Sequence, residues 1–337
     1  MMKKQILIAW ILLLNINLVQ ACETEKKRIA LVIGNSNYQD EMAILKNPKN
    51  DASGLAQTLK TLGFYVFEEY DLTKAKMETV IQKFGSCLKQ AGGIGLFYYS
   101  GHGVQFEGKN YLIPVDGSDA LDSKEEDFLQ HNIVSAEKML KVMENAKNDA
   151  NIIIIDACRN NPTRGKLIHN NGLDHLDPPS GSIIAYAAAP GKFALDGGVE
   201  DHSPYAKHLI KEITKPKVSI TDVFLEVRKG VKRHTNDYQE PQYLSLLNRK
   251  IYLNDKPIEF TVKKYQRSKR IFPPRQAIKI INISKNGNSI NYWKFPWQKQ
   301  WHLPSQDVYN DFIKSVGSSL KSKELLDMAI KKVVSKY

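Results

Sequence analysis

The sequence predicts an α/β fold in which a mostly parallel central sheet is flanked by helices on both faces. Short apolar stretches at residues 28–34, 64–68 and 94–99 each precede a segment with helical spacing. A fourth stretch, residues 152–156, begins with four consecutive isoleucines. Such an uninterrupted β-branched run is typical of a strand that is buried on both faces of a parallel sheet. Strands and helices that alternate in this way form right-handed βαβ units.

The helices between these strands are predicted from apolar spacing and from their end signals. The segment 50–62 opens with Asn50 and Asp51, which favour a helix N-terminus, and Gly63 follows its last turn. Residues 72–90 carry one apolar stripe, and residues 135–146 form a helix that begins at a capping serine. A short extra strand is predicted at residues 111–114.

The alternation lapses after Pro162. Residues 163–181 contain Gly, Asn, Asp, His and a Pro-Pro pair with few apolar side chains, which predicts a flexible loop. Beyond it the sequence predicts a strand at 182–188, a loop at 190–203, helices at Pro204–Ile213 and Ile220–His234, and a last strand at 243–247.

The first 21 residues predict a secretory signal peptide. Lys3 and Lys4 precede an apolar run at residues 6–19, and the small residue Ala21 closes it. The mature chain is therefore expected to be exported, either to a periplasm or out of the cell. Cys22 comes next, so three alternatives stay open: cleavage without lipid, lipid attachment at Cys22, and a retained anchor.

The three cysteines are too few for a disulfide framework of the kind that staples small secreted domains. Cys22 is either a lipid attachment point or close to the mature N-terminus, and Cys87 is expected to be buried on an amphipathic helix. Cys158 follows the isoleucine strand. Because a free thiol in an oxidising compartment is often kept for its reactivity, Cys158 is a candidate nucleophile.

The net charge of +12 is concentrated in the C-terminal quarter. Residues 255–337 carry 17 Lys and Arg against 6 Asp and Glu, so they account for +11 of it. Residues 254–337 are therefore predicted to be a basic C-terminal extension, with a basic amphipathic helix at 314–336. For an exported chain, an anionic surface is a better partner for this extension than nucleic acid, which is not expected. A solvated or packed-on tail is the simpler alternative.

Cys158 and His102 each follow a predicted strand. If those strands are neighbours, both side chains emerge into one crevice at the carboxyl end of the sheet. An imidazole there can generate the attacking thiolate and later protonate the leaving amine. The N–H groups of Gly103 and Cys158 could stabilise the oxyanion. The alternative is a buried structural cysteine and an unrelated turn histidine.

The combination resembles the caspase-like clan of cysteine peptidases, and within it the bacterial metacaspase-like (orthocaspase) branch. The matching motifs run in order over residues 27–253: RIALVIGNSNY (28–38), LKNPKNDASGLAQTL (45–59), YYSGHGVQ (98–105), YLIPVD (111–116), DACRN (156–160), YAAAPG (186–191), HSPYAKHL (202–209) and the segment 241–247. The resemblance implies a caspase-like fold, with 163–181 at the junction between large and small subunits.

The resemblance also implies the roles of individual residues. Cys158 would be the nucleophile, His102 the general base and acid, and Gly103 part of the oxyanion hole. Asp51 and Asp156, with Ser100 at the wall, would form an acidic pocket for the Arg or Lys before the cleaved bond (P1) of a protein or peptide substrate. Caspases that cut after Asp have Gln at the position of Asp156. From the residues alone, Asp51 could instead cap a helix, and Asp156 could bind local amides.

The sequence departs from the family pattern at Asn160 and Asn161, which replace a small pair that commonly follows in the family, and in its acidic region. If the pocket takes basic residues, Arg164 and Lys166 are candidate self-cleavage sites. No cofactor is expected, but metacaspases often need calcium, so calcium dependence stays open. The acidic residues in the corresponding region give no clear ligand cluster and are better interpreted as a solvated loop: Asp116, Asp119, Asp122, Glu125, Glu126 and Asp127.

The remaining histidines show no paired metal-ligand spacing: His131, His169, His175, His202, His208, His234 and His302. The sequence therefore predicts an exported cysteine endopeptidase. The alternative is a catalytically silent caspase-like binding or scaffold protein, which the presence of both His102 and Cys158 argues against.

Overall fold

A computed structural model of the chain describes residues 22, 27–39, 44–106, 109–117, 131–157, 176–189, 194–256, 261–269, 276–285, 288–294, 330–331 and 334. In chain order, its elements are β1 (Arg28–Gly34), α1 (Pro48–Thr61), β2 (Tyr65–Tyr70), α2 (Lys74–Ala91), β3 (Ile94–Gly101), β4 (Gly103–Phe106), β5 (Lys109–Leu112), β6 (Val134–Ser135), α3 (Ala136–Ala146), β7 (Ala150–Ala157), β8 (Ser182–Tyr186), α4 (Pro204–Ile213), α5 (Ile220–His234), β9 (Gln242–Ser245), β10 (Thr261–Lys269), β11 (Gln276–Lys285) and β12 (Asn288–Lys294).

The central sheet has six strands in the order β2-β1-β3-β7-β8-β9. Its first five strands are parallel, and β9 runs antiparallel to β8 at the edge. The strands β3 and β7 are direct neighbours, with Ser100 opposite Asp156 and Gly101 opposite Ala157. The carboxyl ends of these two strands therefore meet at one edge of the sheet, which is where open α/β sheets place their ligands.

Two apolar cores lie on opposite faces of this sheet, as the sequence predicts. On one face α1, α4 and α5 pack against Val32, Tyr98 and Ile154. On the other face α2 and α3 pack against Ile33, Tyr99 and Ile155. Because successive strand residues point to opposite faces, the isoleucine run of β7 feeds both cores, and all eight residues of that strand are buried. The predicted α/β fold class is confirmed.

A three-stranded antiparallel sheet follows His102 directly. The strand β4 pairs with β5, and β5 pairs with β6. One extra strand was predicted at residues 111–114; the structure has β5 slightly earlier and adds β4 before it. The pairing of β4 with β5 sets the direction in which the chain leaves the turn that carries His102.

The C-terminal extension contains β10, β11 and β12, which form a separate antiparallel sheet. These strands were not predicted, because the prolines of this region indicated a linker. A hairpin signal was present: Asn286-Gly287 lies between β11 and β12, and this dipeptide favours a two-residue hairpin turn. Most of the helix predicted at 314–336 and most of the loop predicted at 163–181 lie outside the described residues.

Cys22 and Cys87 form a disulfide that joins the N-terminal segment to α2, with their Cα atoms 5.5 Å apart. Cys87 is buried, as predicted, against the core between α2 and the sheet. The bond itself was not predicted, because the two residues are 65 positions apart and connectivity is not readable from spacing alone. Within the part of the chain that the structure describes, no helix is long and apolar enough to cross a bilayer.

Candidate active site

His102 occupies the turn between β3 and β4 and is 8% exposed. The neighbouring strand β7 ends at Ala157, immediately before Cys158. Cys158 itself lies outside the described residues, as do Arg164 and Lys166. The register of β3 and β7 therefore brings the strand end before Cys158 next to the turn that carries His102. Gly103 is the first residue of β4.

Two tyrosine hydroxyls hold the backbone of His102 from both sides. The N–H of His102 donates to Tyr38 Oη at 2.7 Å, and Tyr99 Oη donates to the carbonyl oxygen of His102 at 2.8 Å. The Tyr38 ring also packs against the imidazole, with ring centroids 4.6 Å apart. Because both hydroxyls are buried, the turn is positioned by the interior of the domain. Neither tyrosine was singled out from the sequence, although each lies within a motif that carries the family resemblance.

The space around Gly101 explains why glycine precedes His102. A Cβ on Gly101 would lie 2.6 Å from Tyr38 Oη and 2.7 Å from Tyr99 Oη, which is closer than carbon and oxygen can approach without displacement. Any side chain at this position would push on the two hydroxyls that hold His102.

The predicted acidic pocket residues lie together on the α1 and α4 face of the sheet. Ser100 Oγ donates to Asp51 Oδ2 at 3.4 Å. Asp156 Oδ2 accepts hydrogen bonds from Tyr98 Oη at 3.1 Å and from Ser203 Oγ at 2.8 Å. Both carboxylates are buried. Strand alternation produces this cluster, since Ser100 and Asp156 share a face with Tyr98 and Ile154, the face that α1 covers.

Ser203 bridges the two carboxylates and was not singled out from the sequence. Its N–H donates to Asp51 Oδ1 at 3.0 Å, while its hydroxyl donates to Asp156. The same hydroxyl accepts from the N–H of Ala206 and so caps α4. The sequence does contain a signal for its capping role, because Ser203 directly precedes Pro204 at the start of α4, and a serine before a proline is a common N-cap pattern.

Burial raises the pKa values of the two acids. Desolvation, with the charge of Asp51 second, raises the pKa of Asp156 to about 8. Desolvation also raises the pKa of Asp51, and hydrogen bonds from His202 and Ser203 oppose that shift. A cation placed between the two carboxylates would stabilise the doubly ionised pair.

A cavity of about 20 Å³ opens between these residues. Its wall includes Ala194, Leu195 and Asp196, and the Asp196 carboxylate accepts hydrogen bonds from the backbone N–H groups of Lys46 and Asn47. Among the described residues, the cavity has room for about one water molecule. Asp196 is a third carboxylate that was not placed here from the sequence.

The strand order, the histidine turn beside the end of β7 and the two helix layers define a caspase-like domain. The family model described as "Caspase domain" matches residues 27–252. The chain therefore belongs to the caspase-domain family.

Three curated relatives show the range of the similarity. The chain is 30% identical over 242 residues to the human "Mucosa-associated lymphoid tissue lymphoma translocation protein 1", which covers 70% of this chain and 28% of the relative. The mouse homologue is 29% identical over 236 residues, which is 68% of this chain and 27% of that protein. Caspase-1-B of Xenopus laevis is 24% identical over 248 residues, covering 68% of this chain and 63% of that protein. The chain thus spans less than a third of the length of the first two.

Proposed function

We propose that this protein is an exported cysteine endopeptidase that cleaves after Arg or Lys through an acyl-enzyme formed on Cys158. The observation that carries the proposal is the position of the His102 turn: it lies beside the strand end before Cys158 and next to a buried pair of carboxylates. The placement in the bacterial metacaspase-like branch stays a prediction.

In the proposed mechanism, His102 accepts the proton of the Cys158 thiol, and the thiolate attacks the scissile carbonyl carbon. The N–H groups of Gly103 and Cys158 stabilise the oxyanion of the tetrahedral intermediate. His102 then gives its proton to the leaving amine, and the acyl-enzyme forms. A water molecule, deprotonated by His102, hydrolyses the thioester and restores the thiol. The hydroxyls of Tyr38 and Tyr99 keep the imidazole aligned during these transfers.

Specificity for a basic P1 side chain is supported by the acids of the cavity. Asp51 and Asp156 are buried next to each other, and a guanidinium or ammonium group would satisfy both carboxylates. An acidic P1 side chain would meet like charges in a desolvated site, so it is rejected.

The direct test uses the mature protein and peptide reporters with Arg, Lys or Asp at P1, each with calcium and with a chelator. We expect turnover of the Arg and Lys reporters and none of the Asp reporter. Turnover of the Asp reporter alone would contradict the pocket assignment. No turnover of any reporter under either condition would favour the silent binding protein.

The test includes calcium because metacaspases, which the sequence resembles, often need it for activity. Among the acidic residues of the predicted region, the structure describes Asp116, whose carboxylate accepts a hydrogen bond from the N–H of Lys74 at the start of α2. No group of three potential metal-ligating side chains occurs in the described ranges. The residues described do not fit a calcium site, so no step of the mechanism is assigned to a metal.

Export is supported by the disulfide, because such bonds persist mainly in oxidising compartments. The bond uses the Cys22 sulfur, which a lipid thioether at the same residue would also need. We therefore propose cleavage of residues 1–21 without lipid attachment. Intact mass spectrometry of the mature protein distinguishes the alternatives, since a lipid adds a large mass and a disulfide removes only a pair of hydrogens.

The basic segment 255–337 is proposed to contact an anionic surface, a role that its charge of +11 supports. We expect the full chain to sediment with vesicles that contain anionic lipid, and to be released by salt because screening weakens the attraction. Equal sedimentation with neutral vesicles would contradict an electrostatic contact.

Asp156→Gln should weaken cleavage of the Arg reporter by ~1–3 kcal/mol in transition-state free energy, or roughly 5- to 150-fold in kcat/KM. The glutamine removes the charge that a basic P1 side chain would meet. Asp149→Gln is the matched control, because Asp149 precedes the opposite end of β7 and pairs with Arg249 on the surface. An unchanged preference for Arg over a neutral P1 residue in Asp156→Gln would contradict the assignment.

Gly101→Ala should lower kcat about a hundredfold, the scale associated with a displacement of about 1 Å in a catalytic group. The added methyl would displace the Tyr38 and Tyr99 hydroxyls and therefore His102. Gly63→Ala is the control, since Gly63 also has positive φ but no atom lies within 4 Å of the position that a Cβ would take there. Equal kcat values for the two variants would contradict the expectation that displacing the His102 turn lowers turnover.

A further inference from the structure

His202 contacts the acidic pocket from the side opposite to Ser100. Its Nδ1 lies 3.1 Å from Asp51 Oδ1, the oxygen that also accepts the N–H of Ser203. The two donors hold Oδ1 on one side of the carboxylate. The other oxygen, Oδ2, accepts a hydrogen bond from Ser100 Oγ, and Asp51 and Ser100 both line the cavity. His202 and Ser100 thus bind different oxygens of the Asp51 carboxylate.

The helix α1 leaves a specific space for this imidazole. A Cβ on Gly54 would lie 2.9 Å from His202 Cε1 and 3.3 Å from His202 Nε2, so a larger residue would push the ring away. Glycine inside a helix costs about 1 kcal/mol relative to alanine. Ile210 Cδ1 lies at the same distance from that Cβ position, 2.9 Å, so Gly54 makes room for both the His202 ring and Ile210 at the expense of local helix stability.

His202 favours the ionised form of the Asp51 carboxylate. Asp51 is fully buried, and desolvation raises its pKa, whereas the hydrogen bond and the charge of His202 lower it. In return the hydrogen bond to Asp51 raises the pKa of His202. The other charged or titratable groups that face the pair are Asp156, Asp196, Asp201 and Lys207. Hydrogen bonds from His202 and Ser203 both favour the ionised carboxylate of Asp51, and of these two residues only His202 can also carry a positive charge.

We propose that His202 is a positioning residue for basic P1 specificity: it holds the buried Asp51 carboxylate at Oδ1, favours its ionised form and leaves the Oδ2 atom for a cationic side chain. This inference rests on the proposed function. It concerns a residue outside the proposed catalytic pair, and it assigns to that residue an effect on the charge of the pocket.

The test compares two reporters that differ only at P1, one with arginine and one with citrulline, its neutral isostere. We expect His202→Ala to raise KM for the arginine reporter about tenfold with little change in kcat, the scale of one charge-assisted hydrogen bond. The citrulline reporter should be nearly unaffected. Titration of the thiol and of His102 acts on both reporters alike, so it cancels in their ratio.

The loss should depend on pH in a defined direction. Without His202 the pKa of Asp51 is higher, so its charge is lost at low pH and regained as the pH rises above that value. The deficit of His202→Ala relative to the wild type should therefore shrink as the pH rises. His202→Asn should recover most of the selectivity at neutral pH, because its amide can donate near the position of Nδ1. His131→Ala, at an exposed histidine, is the control and should change neither reporter.

Two results would overturn the inference. One is an arginine-to-citrulline ratio in His202→Ala equal to that of the wild type; if both reporters lose activity equally, the ratio is unchanged and His202 has a structural role. If the wild type cleaves neither basic reporter, the proposed function fails, and the pair is tested separately by NMR in Cys158→Ala. There the pKa of His202 should fall when Asp51 is replaced by asparagine, and an unchanged titration would overturn the pairing.

Discussion

Cys158→Ala should abolish hydrolysis of the Arg reporter, with a loss in kcat of about 10⁶-fold, the scale found when a catalytic nucleophile is removed. Alanine lacks the sulfur that must form the acyl bond, and no other group in the proposed mechanism can replace it. The change in volume is small, so the Tm and the circular dichroism spectrum should match those of the wild type. The measurement is the steady-state rate, normalised to the protein concentration from absorbance.

His102→Ala is the companion variant. It should lose activity by a similar factor, and the double variant should lose little more, because groups that act as a unit are not additive. Substantial residual turnover in Cys158→Ala would mean that another nucleophile operates, and the mechanism would be wrong. The caspase-like fold would stand in that case, since it depends on the sheet order and the family match and not on the thiol.

Breaking the disulfide in Cys22→Ser/Cys87→Ala should lower the free energy of unfolding by about 2–4 kcal/mol. The bond closes a loop across a sequence separation of 65 residues, and a loop of this length restricts the unfolded chain strongly. The expected drop in Tm is roughly 5–15 °C for a domain of this size. The measurement is thermal unfolding in the Cys158→Ala background, where no free thiol can exchange with the bond.

Reductant provides an internal control for this prediction. Adding it to Cys158→Ala should reproduce the Tm of the triple variant and should have no further effect on the triple variant itself. A Tm that is insensitive to reductant would show that the bond does not form in solution, and the support that it gives to export would be withdrawn.

Local sequence patterns were sufficient for most of the domain. The strand Arg28–Gly34 and the helices Pro204–Ile213 and Ile220–His234 have the predicted bounds, because apolar periodicity and capping residues act within a few positions of each element. The helix predicted at 50–62 begins two residues earlier, where Asn47 precedes Pro48 at the N-terminus. The strands of the C-terminal extension were not predicted. The region was interpreted from its prolines and its basic charge, and the isoleucines of β11 were not recognised as a strand pattern.

The candidate site was predictable in part for the same reason. The family motifs contain the four candidate residues Asp51, Ser100, His102 and Asp156. In the structure, Asp51, Ser100 and Asp156 line one cavity beside the turn that carries His102. Their catalytic and binding roles stay predictions. Nothing local indicated that Ser203 would join the two acids.

The sequence by itself determined the alternation of strands and helices, the burial of the isoleucine strand and the residue types that chemistry would need. Only the tertiary structure decided which distant residues meet: Asp51 with His202 across 151 positions, and Cys22 with Cys87 across 65. The physical reason is that periodicity reports the environment of each segment, whereas contacts between segments depend on the order of strands in the sheet and on the helices that cover each face.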